Sequence, residues 1–171
     1  MMDFSLANML VHGVHKTTVP ESDLPPAELV VLDIIGDDGV IFPTVMPPAF
    51  AASYRQLAAK VVTMLEDHYS TVEILRTGTA PTYPTVWAGV DTNSATWHND
   101  GDEGGTLFAL LYFDPDPAAG HLYVRSTMTN EQTVIRPTRG DLIFVSNDPT
   151  FQHRADLPRG MMTNMTFTCS Y

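Results

Sequence analysis

Apolar positions change their period along this chain. Residues 29–35 (LVVLDII) form a continuous apolar, β-branched run, the composition of a buried strand. GDDG at 36–39 reads as a turn and VIF at 40–42 as a second short strand, together a hairpin-like signal. Over 48–68 the period becomes helical. Phe50, Tyr54, Leu57, Val61, Met64, Leu65 and His68 recur at three- and four-residue spacing, which gathers them on one face of a long helix. Pro47 and Pro48 suit its first turn. After Ser70 the pattern turns to short β-rich runs at 71–77, 85–90, 106–113, 121–126, 132–137, 141–146 and 162–171. Most are separated by Gly, Pro, Asp or Asn, the residues of turns. Residues 1–28 read as an irregular arm broken by Pro20, Pro25 and Pro26.

Many short strands at intervals of about 8–15 residues predict a sandwich or a barrel, and a double-sheet jelly roll fits their number as other sandwiches and barrels do. At 171 residues the chain suits one domain. The arm comes first, strands and a supporting helix fill 29–70, and a β body fills 71–171. Hydrophobic residues make up 44% and charged residues 17%, which excludes a disordered chain. No apolar run is long enough for a transmembrane helix. The N-terminus carries Asp3 early and lacks the basic stretch of a signal peptide, so a cytoplasmic location is expected. One cysteine, Cys169, excludes an internal disulfide framework. A net charge of −11 repels phosphate backbones and anionic lipid heads, so neither nucleic acid nor membrane is an expected partner.

The residues that carry chemistry are His98, Asp100 and His153. Two imidazoles and a carboxylate are the donor set of a non-haem Fe(II) facial triad, which leaves three coordination positions open. On a strand, His98 and Asp100 project from one face, so both reach one ion. The pair alone is weak, because six His and fourteen Asp give about 0.5 His-x-Asp pairs by chance. Two loop residues and a capping or core histidine are the plain alternative.

The order of motifs adds to this. WHND (97–100), ALLYFD (109–114), AGHLYVRS (119–126), IRPTRGDLIFVSND (135–148) and FQH (151–153) follow one another. In that order, residues 84–171 resemble the core of the 2-oxoglutarate/Fe(II)-dependent dioxygenases, especially the prolyl-hydroxylase-like branch. The resemblance implies a mainly β fold: a double-stranded β-helix (jelly roll, cupin-like) with one long N-terminal supporting helix. It implies a non-haem iron oxygenase in which His98, Asp100 and His153 hold Fe(II). The co-substrate would be 2-oxoglutarate, decarboxylated by O2 to succinate and CO2 while a small-molecule or peptide substrate is hydroxylated. Tyr112 matches a tyrosine that hydrogen-bonds the distal carboxylate of 2-oxoglutarate. The family's Arg or Lys on the last strand has no counterpart, since Met162, Thr163 and Asn164 stand there. Asn164 is the best positional match, with Thr166 and Thr168 on the same strand face. Arg159, Arg125 and Arg154 are the candidate cations. That departure favours the rival reading, a cupin-like metal- or ligand-binding jelly roll without 2-oxoglutarate chemistry. A purely structural β domain is the third.

The other signals are minor. His12 and His15 are expected in the irregular arm, His68 at the helix end and His121 at a strand edge. Trp97 either walls the substrate pocket or packs in the core. The acidic turns at 100–105 and 114–117 flank the proposed iron and favour a basic or neutral substrate or are simply solvated.

Overall fold

Where strands carry apolar residues on both faces, the sheet they form must be covered on both sides. The computed structural model describes residues 2–27, 40–41, 47–74, 86–87, 95–99, 106–115, 120–156 and 161–171. Its elements are α1 (Leu6–His12), β1 (Val14–Thr18), β2 (Val40–Ile41), α2 (Pro48–Glu66), β3 (Thr71–Ile74), β4 (Val86–Trp87), β5 (Leu107–Asp114), β6 (Leu122–Ser126), β7 (Gln132–Ile135), β8 (Asp141–Ser146), β9 (Phe151–Ala155) and β10 (Met161–Ser170). They form two antiparallel sheets. The major sheet has seven strands in the order β1-β8-β5-β10-β4-β2, with β3 also paired to β10; the minor sheet has three in the order β7-β6-β9. This is the expected jelly roll with its long supporting helix.

The major sheet separates two cores. Leu107, Ala109, Leu111 and Phe113 of β5 face α2, together with Leu142 and Phe144 of β8 and Met165 and Phe167 of β10. The helix meets them with Phe50, Ala51, Tyr54, Leu57, Ala58, Val61 and Leu65. The alternate residues, Leu110, Tyr112, Ile143, Val145 and Met162, face the minor sheet and meet Leu122, Val124, Phe151 and Ala155. Each buried Leu or Val contributes about 1.5–3 kcal/mol. The helical face therefore holds as predicted, except that the helix ends at Glu66 and His68 lies exposed beyond it. Among the described residues no helix is long and apolar enough to cross a membrane.

The irregular arm requires correction. Ser5 caps α1 by accepting from the Asn8 backbone N–H, and Gly13, with φ 68°, ends the helix in the left-handed region. The chain then enters β1, which pairs with β8 in the register Val14↔Val145 to Thr18↔Asp141. The proline breakers all lie beyond β1. His15 is accordingly a core residue, 8% exposed, with its ring set between Phe4 and Phe144. The strand expected over 29–35 lies outside the described residues.

Candidate metal centre and the barrel interior

β9 is the outer strand of the minor sheet, and its free edge receives one more residue. His98 forms an isolated antiparallel bridge with His153. The His98 N–H donates to the His153 carbonyl at 3.1 Å and the His153 N–H returns the bond at 2.9 Å. Directly opposed residues of an antiparallel pair share a face. The two imidazoles therefore lie side by side, with ring centroids 4.2 Å apart. His153 itself stands opposite Val124 of β6, so this face is the one turned to the barrel interior.

Two local devices fix the bridge. The His98 Nδ1 lies 2.7 Å from the Thr96 carbonyl. A carbonyl can only accept, so Nδ1 carries the proton and the lone pair is on Nε2, the nitrogen that ligates a metal in this tautomer. Asn99 then ties the segment to the β8–β9 turn. Its Nδ2 donates to the carbonyls of Asn147 at 3.3 Å, Asp148 at 3.1 Å and Phe151 at 3.1 Å. Asp148 shapes that turn in its own right: its carboxylate accepts from the Thr150 hydroxyl and backbone N–H, which holds its carboxyl below the ordinary range. Sequence reasoning missed Asn99. The available signal was its place between two proposed ligands, where alternation points it away from both.

Asp100 and Arg159 lie outside the described residues. Among the described residues no third His, Cys, Asp or Glu joins the two histidines.

Tyr112 is buried, 2% exposed, in the core between the sheets. Asn164 stands opposite Leu110 and Thr166 opposite Phe108, so both share the inner face with Tyr112. The Phe108 ring reaches the His153 ring at 6.3 Å between centroids, which connects this polar strip to the histidine pair. Asn164 Oδ1 and Thr166 Oγ1 are buried and have no hydrogen-bond partner among the described residues.

Arg125 and Arg154 do not reach this space. They alternate with Val124 and His153 and so occupy the outer face of the minor sheet. Arg125 donates through Nε and Nη2 to Gln152 Oε1 and stacks on Trp97, its Cζ 4.3 Å from the ring centroid. Arg154 lies over the Tyr123 ring at 3.8 Å and donates to Asp156 Oδ1 at 2.9 Å. The Tyr123 hydroxyl donates to the other oxygen of Asp156 at 2.7 Å. That bond lowers the Asp156 pKa and raises the Tyr123 pKa. Trp97 thus lies over the outer face beside His98, and neither arginine is a candidate for a ligand inside the barrel. A cavity of about 430 Å³ between α1, the β8–β9 turn and the chain's last residues includes Tyr69, Phe151 and Cys169 but neither His98 nor His153.

No family model matches the chain, and no curated protein matches its sequence. Solved structures do match. A prolyl hydroxylase from Trichoplax adhaerens, in complex with a hypoxia inducible factor oxygen degradation domain peptide fragment, superposes with TM-score 0.61 at 15% identity, over 94% of this chain and 84% of its own. A Pseudomonas putida prolyl-4-hydroxylase gives 0.54 at 18% identity, over 95% of this chain and 90% of its own. A 2OG-Fe(II) oxygenase family protein from Burkholderia pseudomallei gives 0.53 at 13% identity, over 72% and 59%. The chain has the 2OG-Fe(II) oxygenase fold.

On that fold the donor set suits the metal. Two imidazoles on one face, one of them with its tautomer fixed by a carbonyl, match the nitrogen donors that a two-histidine, one-carboxylate Fe(II) site requires. The inner wall also carries the unpartnered polar atoms of Asn164 and Thr166.

Proposed function

We propose that this protein is an Fe(II)- and 2-oxoglutarate-dependent oxygenase that hydroxylates a small-molecule or peptide substrate. The observation that carries this reading is the reciprocal His98–His153 bridge, which sets two imidazoles 4.2 Å apart at the sheet edge. His98, Asp100 and His153 would hold the iron. When bound, the iron supplies the O2 chemistry that turns 2-oxoglutarate into succinate and CO2 and places one oxygen atom on a substrate carbon.

The chain's own residues do the rest. Asn99 holds the His98 segment against the β8–β9 turn. The Thr96 carbonyl keeps the His98 proton on Nδ1. Phe108, Leu110 and Met162 line the inner wall beside Tyr112 and Asn164, where the co-substrate would lie, and keep water from it. Arg159, shortly before β10, is the remaining candidate for a charged partner of the distal carboxylate. One structure of the same fold holds a peptide fragment, which supports a peptide as one of the two substrate classes.

The test is an anaerobic titration with Fe(II) and then 2-oxoglutarate, followed through the weak visible charge-transfer band of a chelated 2-oxo acid. The expected result is a band that needs both additions and is absent in His153→Ala. Iron binding with no band would favour the cupin-like metal-binding reading. Failure to bind iron would leave a structural jelly roll.

A further inference from the structure

The inner face of β10 presents polar side chains that the fold itself does not use. Thr166 is 1% exposed, and neither its Oγ1 nor Asn164 Oδ1 has a hydrogen-bond partner among the described residues. Leaving such an atom buried and unpaired costs about 1–3 kcal/mol. The backbone carbonyl of Asn164 is by contrast satisfied, accepting from the Tyr54 hydroxyl at 2.9 Å. The unmet groups therefore lie only on the side of the strand that faces the barrel.

No described cation accompanies them. Lys16 is exposed and pairs with Asp141 at 3.1 Å. Lys60 pairs with Asp23 at 2.7 Å on the surface. Arg139 pairs with Glu21 at 2.8 Å and also donates to the Phe113 carbonyl. Arg55 and Arg136 are exposed. Arg125 and Arg154 lie across the minor sheet. Around Asn164 and Thr166 the wall is formed by Leu110, Met162, Ile143, Val145 and Tyr112, none of them charged. A carboxylate is costly in such a place without a cation or several donors, whereas a neutral group is not.

We infer that the far end of the 2-oxo acid is held here by the neutral side chains of Asn164 and Thr166, so that a 2-oxo acid with an uncharged tail binds about as well as 2-oxoglutarate. This rests on the oxygenase reading above. An amide and a hydroxyl each offer both a donor and an acceptor. They serve a neutral tail without the electrostatic advantage that a cation gives to a charged one.

The experiment compares two probes on the Fe(II)-loaded protein without O2: 2-oxoglutarate and its distal amide, 2-oxoglutaramate, in which an uncharged carboxamide that both donates and accepts replaces the distal carboxylate. The readout is the dissociation constant from the charge-transfer band, with no turnover involved. The inference expects wild-type constants within about tenfold of each other. It also expects Asn164→Arg to tighten 2-oxoglutarate alone by about tenfold or more. A wild-type preference for 2-oxoglutarate beyond about tenfold overturns it, as does a comparable selective loss in Arg159→Gln. The wild-type comparison stands even if Asn164→Arg does not fold. Iron that binds while neither acid gives a band refutes the oxygenase reading instead, and the inference falls with it.

Discussion

Replacing Asn99 by alanine should weaken metal binding more than it weakens the fold. The Asn99 amide has two N–H groups and shares them among three carbonyls, those of Asn147, Asp148 and Phe151, at 3.1–3.3 Å. That amounts to two hydrogen bonds, each worth about 1 kcal/mol net. Only the Asp148 acceptor is exposed, whereas Asn147 and Phe151 are buried, so the two hydrogen bonds set the lower bound of the cost. The loss is therefore at least about 2 kcal/mol. If that much were borne by global stability, a chain of this size would lose about 4–8 °C in Tm. The bonds are local, however: they join His98's short segment to the turn before β9, and among the described residues that segment is then anchored by the His98–His153 bridge and by Trp97 packed against Arg125 and Tyr123. The segment loosens in the metal-free protein, and the metal has to restore its order. Affinity should fall by about tenfold or more, about 2 kcal/mol being equivalent to thirtyfold. Asn99→Asp should be worse, since a carboxylate facing three carbonyls has no hydrogen to donate. An anaerobic Fe(II) titration against a competing chelator gives the affinity, and thermal unfolding of the metal-free protein gives the stability. A Tm loss of the full size with affinity within about twofold of wild type would refute this reasoning and make Asn99 a purely structural residue.

Two further outcomes are expected. Gly13→Ala places a side chain where φ is 68° and where its Cβ runs into the Phe151 ring; left-handed strain and overpacking together predict a loss of about 3 kcal/mol, read as a Tm lower by about 6–12 °C. Because the Phe151 carbonyl is one of Asn99's acceptors, iron affinity should fall as well, and a Tm within about 1 °C of wild type would contradict the packing described. Cys169 is half-buried, and burial pushes its thiol up to about 11. A raised pKa means less thiolate at any lower pH, so at pH 8 native Cys169 should react with iodoacetamide about a hundredfold more slowly than a thiol of pKa 9, with the rate rising tenfold per pH unit toward 11; equal rates in native and urea-unfolded protein would refute the burial.

Periodicity alone made most of the sheet architecture legible, because a jelly roll repeats one short-range signal many times. It also contained more than was drawn from it. Arg125 follows inward-facing Val124, and Arg154 follows the proposed ligand His153; strict alternation already places both outside the barrel. The helix and strand over 6–18 were hidden for another reason. Seven residues of α1 and five of β1 are too few to show a period. What holds β1 is its pairing with β8 at the other end of the chain, a contact that no local pattern reports.

The histidine pair is the same kind of fact. Spacing could nominate His98 and His153, but nothing in either neighbourhood says that they exchange backbone hydrogen bonds. That exchange depends on the β8–β9 turn, which is shaped by Asp148 and Thr150 and gripped by Asn99. One backbone bridge thus sets the separation of the two imidazoles, and a polar turn sets the bridge. It follows that the site is most vulnerable to changes that alter no ligand at all. Substitutions at 147–150 or at Asn99 should move the metal affinity, whereas comparable changes on the exposed outer face of β7, on the far side of the minor sheet from β9, should not.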